Sequence, residues 1–252
     1  MGMRKSAFCV MIALTSMSAY SQGLYWEQTS TMAMMGKTHE MHSKGYLKPT
    51  KLKTVSDEDN RITIIRSDKE VMYMVNPKDK TYSEITFKEI EAQLAKAGEQ
   101  MKEMQEKLKD MPPEQRKMME GMMGGMMGEK EYQLKKTGER KKVARYSCEK
   151  VLMMEGDKEA AEFWITKEIG SMKDYAKDWS KMMDKMAQGP MAKMYRKLAE
   201  LDGFAMEMKF MGMNSTTTKL EKRAVADAEF EVPAGFKKVE WEGQDTHKPR
   251  SR

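Results

Sequence analysis

The chain has 252 residues and a formal charge of +6, with 45 basic and 39 acidic side chains intermixed along it. One residue in three is charged, yet no basic patch is interleaved with aromatics, which argues against a nucleic-acid surface. After the N-terminus no run approaches the ~18 apolar residues of a membrane-spanning helix.

The N-terminus reads MGMRKSAFCVMIALTSMSAYSQG. Arg4 and Lys5 form a short positive region, Ser6 to Met17 an apolar uncharged one, and Ala19-Tyr20-Ser21 places small residues three and one positions before a cut. This layout predicts a signal peptide over residues 1–21, cleaved after Ser21, and hence a periplasmic or secreted protein. Cleavage leaves 231 residues, a charge of +4 and 27 of the 31 methionines. It also removes Cys9, so Cys148 has no partner for an intramolecular disulfide and the fold must rest on packing. Burial of Cys148 is expected, because Ala144, Tyr146, Cys148 and Leu152 share one parity of an apparent strand.

In the first strand Leu24, Trp26, Met32 and Met34 share a parity, interrupted by Gln28 and Ser30. Lys37 to Leu47 reads as a second strand, followed by RITIIRS (61–67), EVMYMVN (70–76) and KTYSEI (80–85). A helix then begins at Thr86, where Thr86 and Glu89 have capping-box spacing. Phe87, Ile90, Leu94, Ala97, Met101, Met104 and Leu108 recur at steps of three and four, a narrow stripe suited to packing on a sheet or another helix. Met111-Pro112-Pro113 ends it and opens a Met- and Gly-rich connector, 111–129. Strands resume at YQLKKTG (132–138), VARYSCEKVLMME (143–155) and AAEFWIT (160–166). A second helical segment starts at Ser171 with Met172, Tyr175, Trp179, Met182 and Met186. It breaks at Gly189-Pro190, and a last helix runs through Met194 and Leu198 to Gly203. In GFAMEMKFM (203–211), Phe204, Met206, Met208 and Phe210 are expected on one face, with Glu207 and Lys209 opposite. Residues 243–252 form a polar tail expected to be disordered. Short links between strands favour antiparallel pairing, and the whole predicts one α+β domain over residues 22–242.

Motifs for catalysis are missing from the sequence. There is no Gly-x-Ser-x-Gly elbow, no phosphate-binding loop and no Cys-x-x-Cys, so a non-enzymatic protein without a cofactor is expected. His39-Glu40-Met41-His42 falls one residue short of the zinc-protease spacing. On a strand His39 and Met41 share a face, whereas His42 points away. The connector MMEGMMGGMMG (118–128) would stack its methionines on one helical stripe, but Gly121, Gly124, Gly125 and Gly128 each cost about 1 kcal/mol there. Three readings stay open for it: a loop docked on its own domain, a soft lid over an apolar ligand, or a Cu(I) site of thioethers. The metal reading would use Met118, Met122, Met123, Met126 and Met127, with His39 or Met41 nearby.

Four stretches, taken together, resemble a secreted bacterial family described as domain of unknown function 4412. They are Lys80-Thr81-Tyr82; Thr137-Gly138-Glu139 leading to Tyr146-Ser147-Cys148-Glu149-Lys150; Trp164-Ile165-Thr166-Lys167; and Phe230-Glu231-Val232-Pro233-Ala234-Gly235-Phe236. Their order spans about residues 24–238. The family usually has Gly before the aromatic of the cysteine motif, where this chain has Arg145. The resemblance implies a fold similar to the LolA and LppX lipoprotein carriers: a curved antiparallel sheet, or half barrel, with helices covering its concave face. It brings no catalytic residues. The expectation is then a lipid-like or other apolar ligand held in the concavity, lined by Trp26, Phe204, Met206, Met208 and Phe210, with Met122, Met123, Met126 and Met127 at the entrance. Peripheral contact with a membrane surface is a further expected partner, and an envelope protein with no ligand is the remaining alternative.

Overall fold

The computed structural model describes residues 22–34, 36–112, 114–116, 131–170, 192–210 and 212–241. The expected signal peptide, the connector methionines from Met118 to Met127, the helical segment expected from Ser171 and the expected polar tail all lie outside these residues.

Strands β1 (Gln22–Met34), β2 (Lys37–Lys48), β3 (Lys51–Ser56), β4 (Ile62–Arg66), β5 (Val71–Asn76) and β6 (Thr81–Thr86) form one antiparallel meander. Helix α1 (Phe87–Lys109) follows. A second meander contains β7 (Tyr132–Val143), β8 (Tyr146–Glu155), β9 (Lys158–Thr166), β10 (Phe204–Phe210) and β11 (Met213–Ala224), with helix α2 (Ala192–Ala199) between β9 and β10. Pairing of β1 with β11 joins the two meanders into a single open sheet. With the parallel edge strand β12 (Lys237–Lys238) it has twelve strands, in the order β12-β6-β5-β4-β3-β2-β1-β11-β10-β9-β8-β7. The two meanders therefore lie side by side in one sheet and meet at the β1–β11 ladder. No described helix is long and apolar enough to cross a membrane.

Side-chain alternation explains why this sheet needs cover on both faces. On one face Leu24, Leu47, Leu52, Ile65, Met72 and Ile85 stand in register across β1 to β6, an apolar row six strands wide. On the other, Ile64 and Val75 form a core with Val225 and Phe230, flanked by Tyr46, Tyr73 and Tyr82. The chain after β11 folds back over that second face and is fastened by ion pairs. Lys48 and Lys51 meet Asp227 at 3.0 and 2.8 Å, and Lys53 meets Glu229 at 2.7 Å. The buried Arg66 binds Asp68, Glu231 and the Phe230 carbonyl.

Three local expectations change. First, β7 runs on through Gly138 (φ +81°) to Val143, and the chain turns at Ala144 (φ +50°) and Arg145. Ala144 is thus an exposed turn residue, not a member of the buried parity, whereas Tyr146 and Cys148 are buried. Of these two turn residues only Ala144 takes up the left-handed backbone, so Arg145 fits where the family usually has Gly. Its guanidinium lies 5.2 Å from the Tyr146 ring and donates to the Tyr146 hydroxyl at 3.0 Å. Second, Leu152 is half-buried, and Val151 and Met153 enter the core in its place. Third, the α1 stripe is buried at its ends, Phe87 and Leu108, while Ala97 and Met104 are exposed. The capping box forms as its spacing predicts: Thr86 Oγ1 accepts from the Glu89 amide at 3.2 Å, and Glu89 accepts from the Thr86 amide at 2.7 Å.

Candidate functional site

Beyond the apolar row, the same sheet face changes character rung by rung. Trp26 comes next, with Leu220 on one side and Gly45 on the other. The missing side chain at Gly45 makes room for the indole, since a Cβ there would lie 2.0 Å from the ring. Then follow Thr217, Gln28 and Ser43; Ser215, Ser30 and Met41; and Met213, Met32 and His39. Directly paired residues point to one face, so these three rungs make a polar strip bordered by methionines.

The inner hydroxyls of the strip are shielded from solvent, while its methionine end is half-buried and His39 is exposed. Ser30, Ser215 and Thr217 are buried. The Gln28 amide donates to Ser30 Oγ at 3.1 Å and to Ser215 Oγ, and the Thr217 hydroxyl donates to the Ala205 carbonyl at 3.5 Å. Buried hydroxyls and amides must find partners, which is why they occur here as a network. Its signal in the sequence was the break in the β1 apolar parity at Gln28 and Ser30. Ser215 and Thr217 have no such signal, because no apolar alternation marks β11.

The five expected lining residues do not form one wall. A bulge between Ala205 and Glu207 shifts the β9–β10 register. An inserted residue reverses the facing beyond it. Phe204 and Met206 therefore pack with Leu24, Cys148 and Trp164, and the Phe204 ring meets Trp26 edge-on at 5.6 Å. Met208 and Phe210 pack instead with Val151, Met153, Phe163 and Met194. The register still sets Met208 opposite Ser215 and Phe210 opposite Met213, so these two border the polar strip. Glu207 faces the partner of its own rung, Trp164: Lys141 stands over that indole at 4.2 Å and pairs with Glu207 at 2.6 Å.

His39 and Met41 share the methionine side of the strip, as expected. His42 points the other way and meets Thr29 Oγ1 at 3.1 Å. Among the described residues no three His, Cys, Asp or Glu side chains converge as a metal site. Burial pushes the Cys148 thiol above its ordinary range, which keeps it protonated and a poor nucleophile. A solvent-open groove of about 640 Å³ lies where the apolar row ends at Ile85, between β6, α1 and β12. Glu84, Glu89, Lys238 and Glu240 line it beside Ile85 and Trp241, a charged wall unsuited to an apolar ligand.

Solved structures similar to this chain include an uncharacterized conserved protein from Thermus thermophilus, at 8% identity and TM-score 0.44, covering 86% of this chain and 90% of that one. PNGF-II is similar at 10% identity and TM-score 0.40; the match covers 87% of this chain but 32% of PNGF-II. A DUF1329 family protein from Desulfovibrio piger matches at 12% identity and TM-score 0.32, over 85% of this chain and 91% of that one. No curated protein matches the chain. The motif Lys80-Thr81-Tyr82 stands apart from the family match, which takes in the cysteine, tryptophan and Phe230–Phe236 motifs: residues 115–236 match the model of the family described as Domain of unknown function (DUF4412).

Proposed function

We propose that the mature protein is an exported, non-enzymatic binding protein that holds a lipid-like ligand against one face of its sheet. In this reading the sheet curves into a half barrel, helices cover the concave face, and the connector methionines Met122, Met123, Met126 and Met127 lie at the entrance. One observation carries it: a six-strand apolar row and the Trp26 indole run directly into a strip of buried hydroxyls and the half-buried Gln28 amide on the same face. An amphiphile matches that pattern, its chain on Leu52, Ile65, Met72 and Trp26 and its polar end exchanging hydrogen bonds with Gln28, Ser30 and Ser215. Methionine suits such a face because it is unbranched and tolerant of ligand shape.

The test is organic extraction of protein purified from its native host, followed by mass spectrometry, with uptake of a fluorescent fatty acid by the stripped protein. Co-purifying amphiphile and saturable uptake support the reading. Protein that is always empty and takes up no probe rejects it.

A further inference from the structure

We infer that the sheet carries a site for a soft monovalent metal ion, Cu(I) or its redox-stable counterpart Ag(I), ligated by the thioethers of Met32, Met41 and Met213 with the His39 imidazole. The assignment is independent of the lipid reading. Met32 is directly paired with His39 on β2 and with Met213 on β11, so three donors occupy one rung of three adjacent strands, on one face. Met41 stands two residues from His39 on that face, opposite Ser30. Cβ atoms of directly opposed residues are about 5 Å apart. Methionine's three rotatable bonds then let sulfurs from neighbouring strands converge above Met32.

The chemistry of the donors selects the ion. Thioethers are neutral and soft and favour Cu(I), whereas Mg²⁺, Ca²⁺ and Mn²⁺ require carboxylate or carbonyl oxygen. No carboxylate occupies these two rungs on β2, β1, β11 or β10; their remaining members are Ser30, Ser215, Met208 and Phe210. The three thioether ligands are half-buried and His39 is exposed, which gives the ion a greasy floor and an open approach. Nothing in this set calls on the connector methionines.

Competition against a chromophoric Cu(I) chelator tests the site in the full mature chain. Three proteins are compared: wild type, the sheet variant Met32→Leu/Met41→Leu/Met213→Leu, and a connector variant with Met118, Met122, Met123, Met126 and Met127 changed to leucine. Leucine keeps bulk and removes the sulfur donor. Affinity should fall at least tenfold in the sheet variant and stay within twofold in the connector variant. The reverse pattern, or a wild type that never competes with the chelator, overturns the assignment. Should the sheet variant not fold, wild-type protein labelled with ¹³C at the methionine methyls decides. One equivalent of Ag(I) should shift the methyl signals of Met32, Met41 and Met213; shifts confined to other methionines refute the site.

Discussion

At the scale of single residues, the absence of a side chain at position 45 determines where the Trp26 indole can lie. A Cβ there would sit 2.0 Å from the ring, so Gly45→Ala must displace the indole and disturb its edge-on contact with Phe204 at 5.6 Å. Overpacking of this kind costs about 1–3 kcal/mol. The expected readout is a lower denaturation midpoint with red-shifted tryptophan emission, and weaker uptake of a fluorescent fatty acid if the indole lines the ligand. Unchanged emission and stability would mean that the ring has slack beside β2. Cys148 makes the opposite case, a residue already enclosed. It is 2% exposed and packs with Tyr146, Trp164 and Phe204. Native protein should resist a bulky thiol reagent and react only when denatured. Cys148→Ser should lower stability by about 1 kcal/mol, through hydroxyl desolvation and lost packing. Rapid labelling of the native protein at neutral pH would place the thiol at the surface instead.

Among the elements, α1 depends on its start more than on its face. The capping box at Thr86 and Glu89 satisfies two amides that the helix itself leaves open. Since Ala97 and Met104 are exposed, little mid-helix burial offsets the loss of that cap. Thr86→Ala should cost about 1 kcal/mol, seen as a lower denaturant midpoint at constant slope. A change in slope instead would mean that the sheet partner β6 also opens. This start was legible in the sequence because capping is a local spacing rule. So were β4, β5 and β9, whose apolar residues recur over short runs. The strand that joins the meanders was not: β11 lines its inner face with Ser215 and Thr217, and the extra residue Thr218, opposite the Glu27–Gln28 step of β1, shifts the register before Leu220. A strand with hydroxyls on its inner face and a break in its period has no alternation to read. The β10 bulge failed differently. Phe204, Met206, Met208 and Phe210 alternate perfectly, and only pairing with β9 reveals that Met206 is the inserted residue. The candidate site suffered most, because its polar members looked like interruptions and its expected wall straddles a bulge.

For the molecule as a whole, the segment after β11 locks one face of the first meander, and its lock is ionic. Hydrogen bonds from Lys51 and Lys48 hold the Asp227 carboxyl down to about 2. Hydrogen bonds from Arg66 lower Asp68. Glu231 is lowered too: burial alone would raise its carboxyl, but bonds to Arg66 and Lys69 outweigh it. A carboxyl lowered by folding contributes stability that is fully present above its unfolded pKa, about 4 for Asp, and is lost as pH falls through the folded value. The contribution of Asp227 should therefore fade between about pH 4 and pH 2. Asp227→Asn removes that term at every pH and leaves the buried Lys48 ammonium, 4% exposed, without its carboxylate. Because Asp227 is itself 60% exposed, solvent screens the pair, and the loss at pH 7 should be about 1 kcal/mol, not the several expected of a fully buried pair. Urea unfolding of both proteins from pH 7 to pH 2 checks the sign. The wild-type advantage should hold constant down to about pH 4 and then shrink until the curves converge near pH 2. Curves that stay parallel to pH 2 would show that the segment is held by Phe230 and Val225 in their apolar core, with the ion pairs contributing nothing measurable.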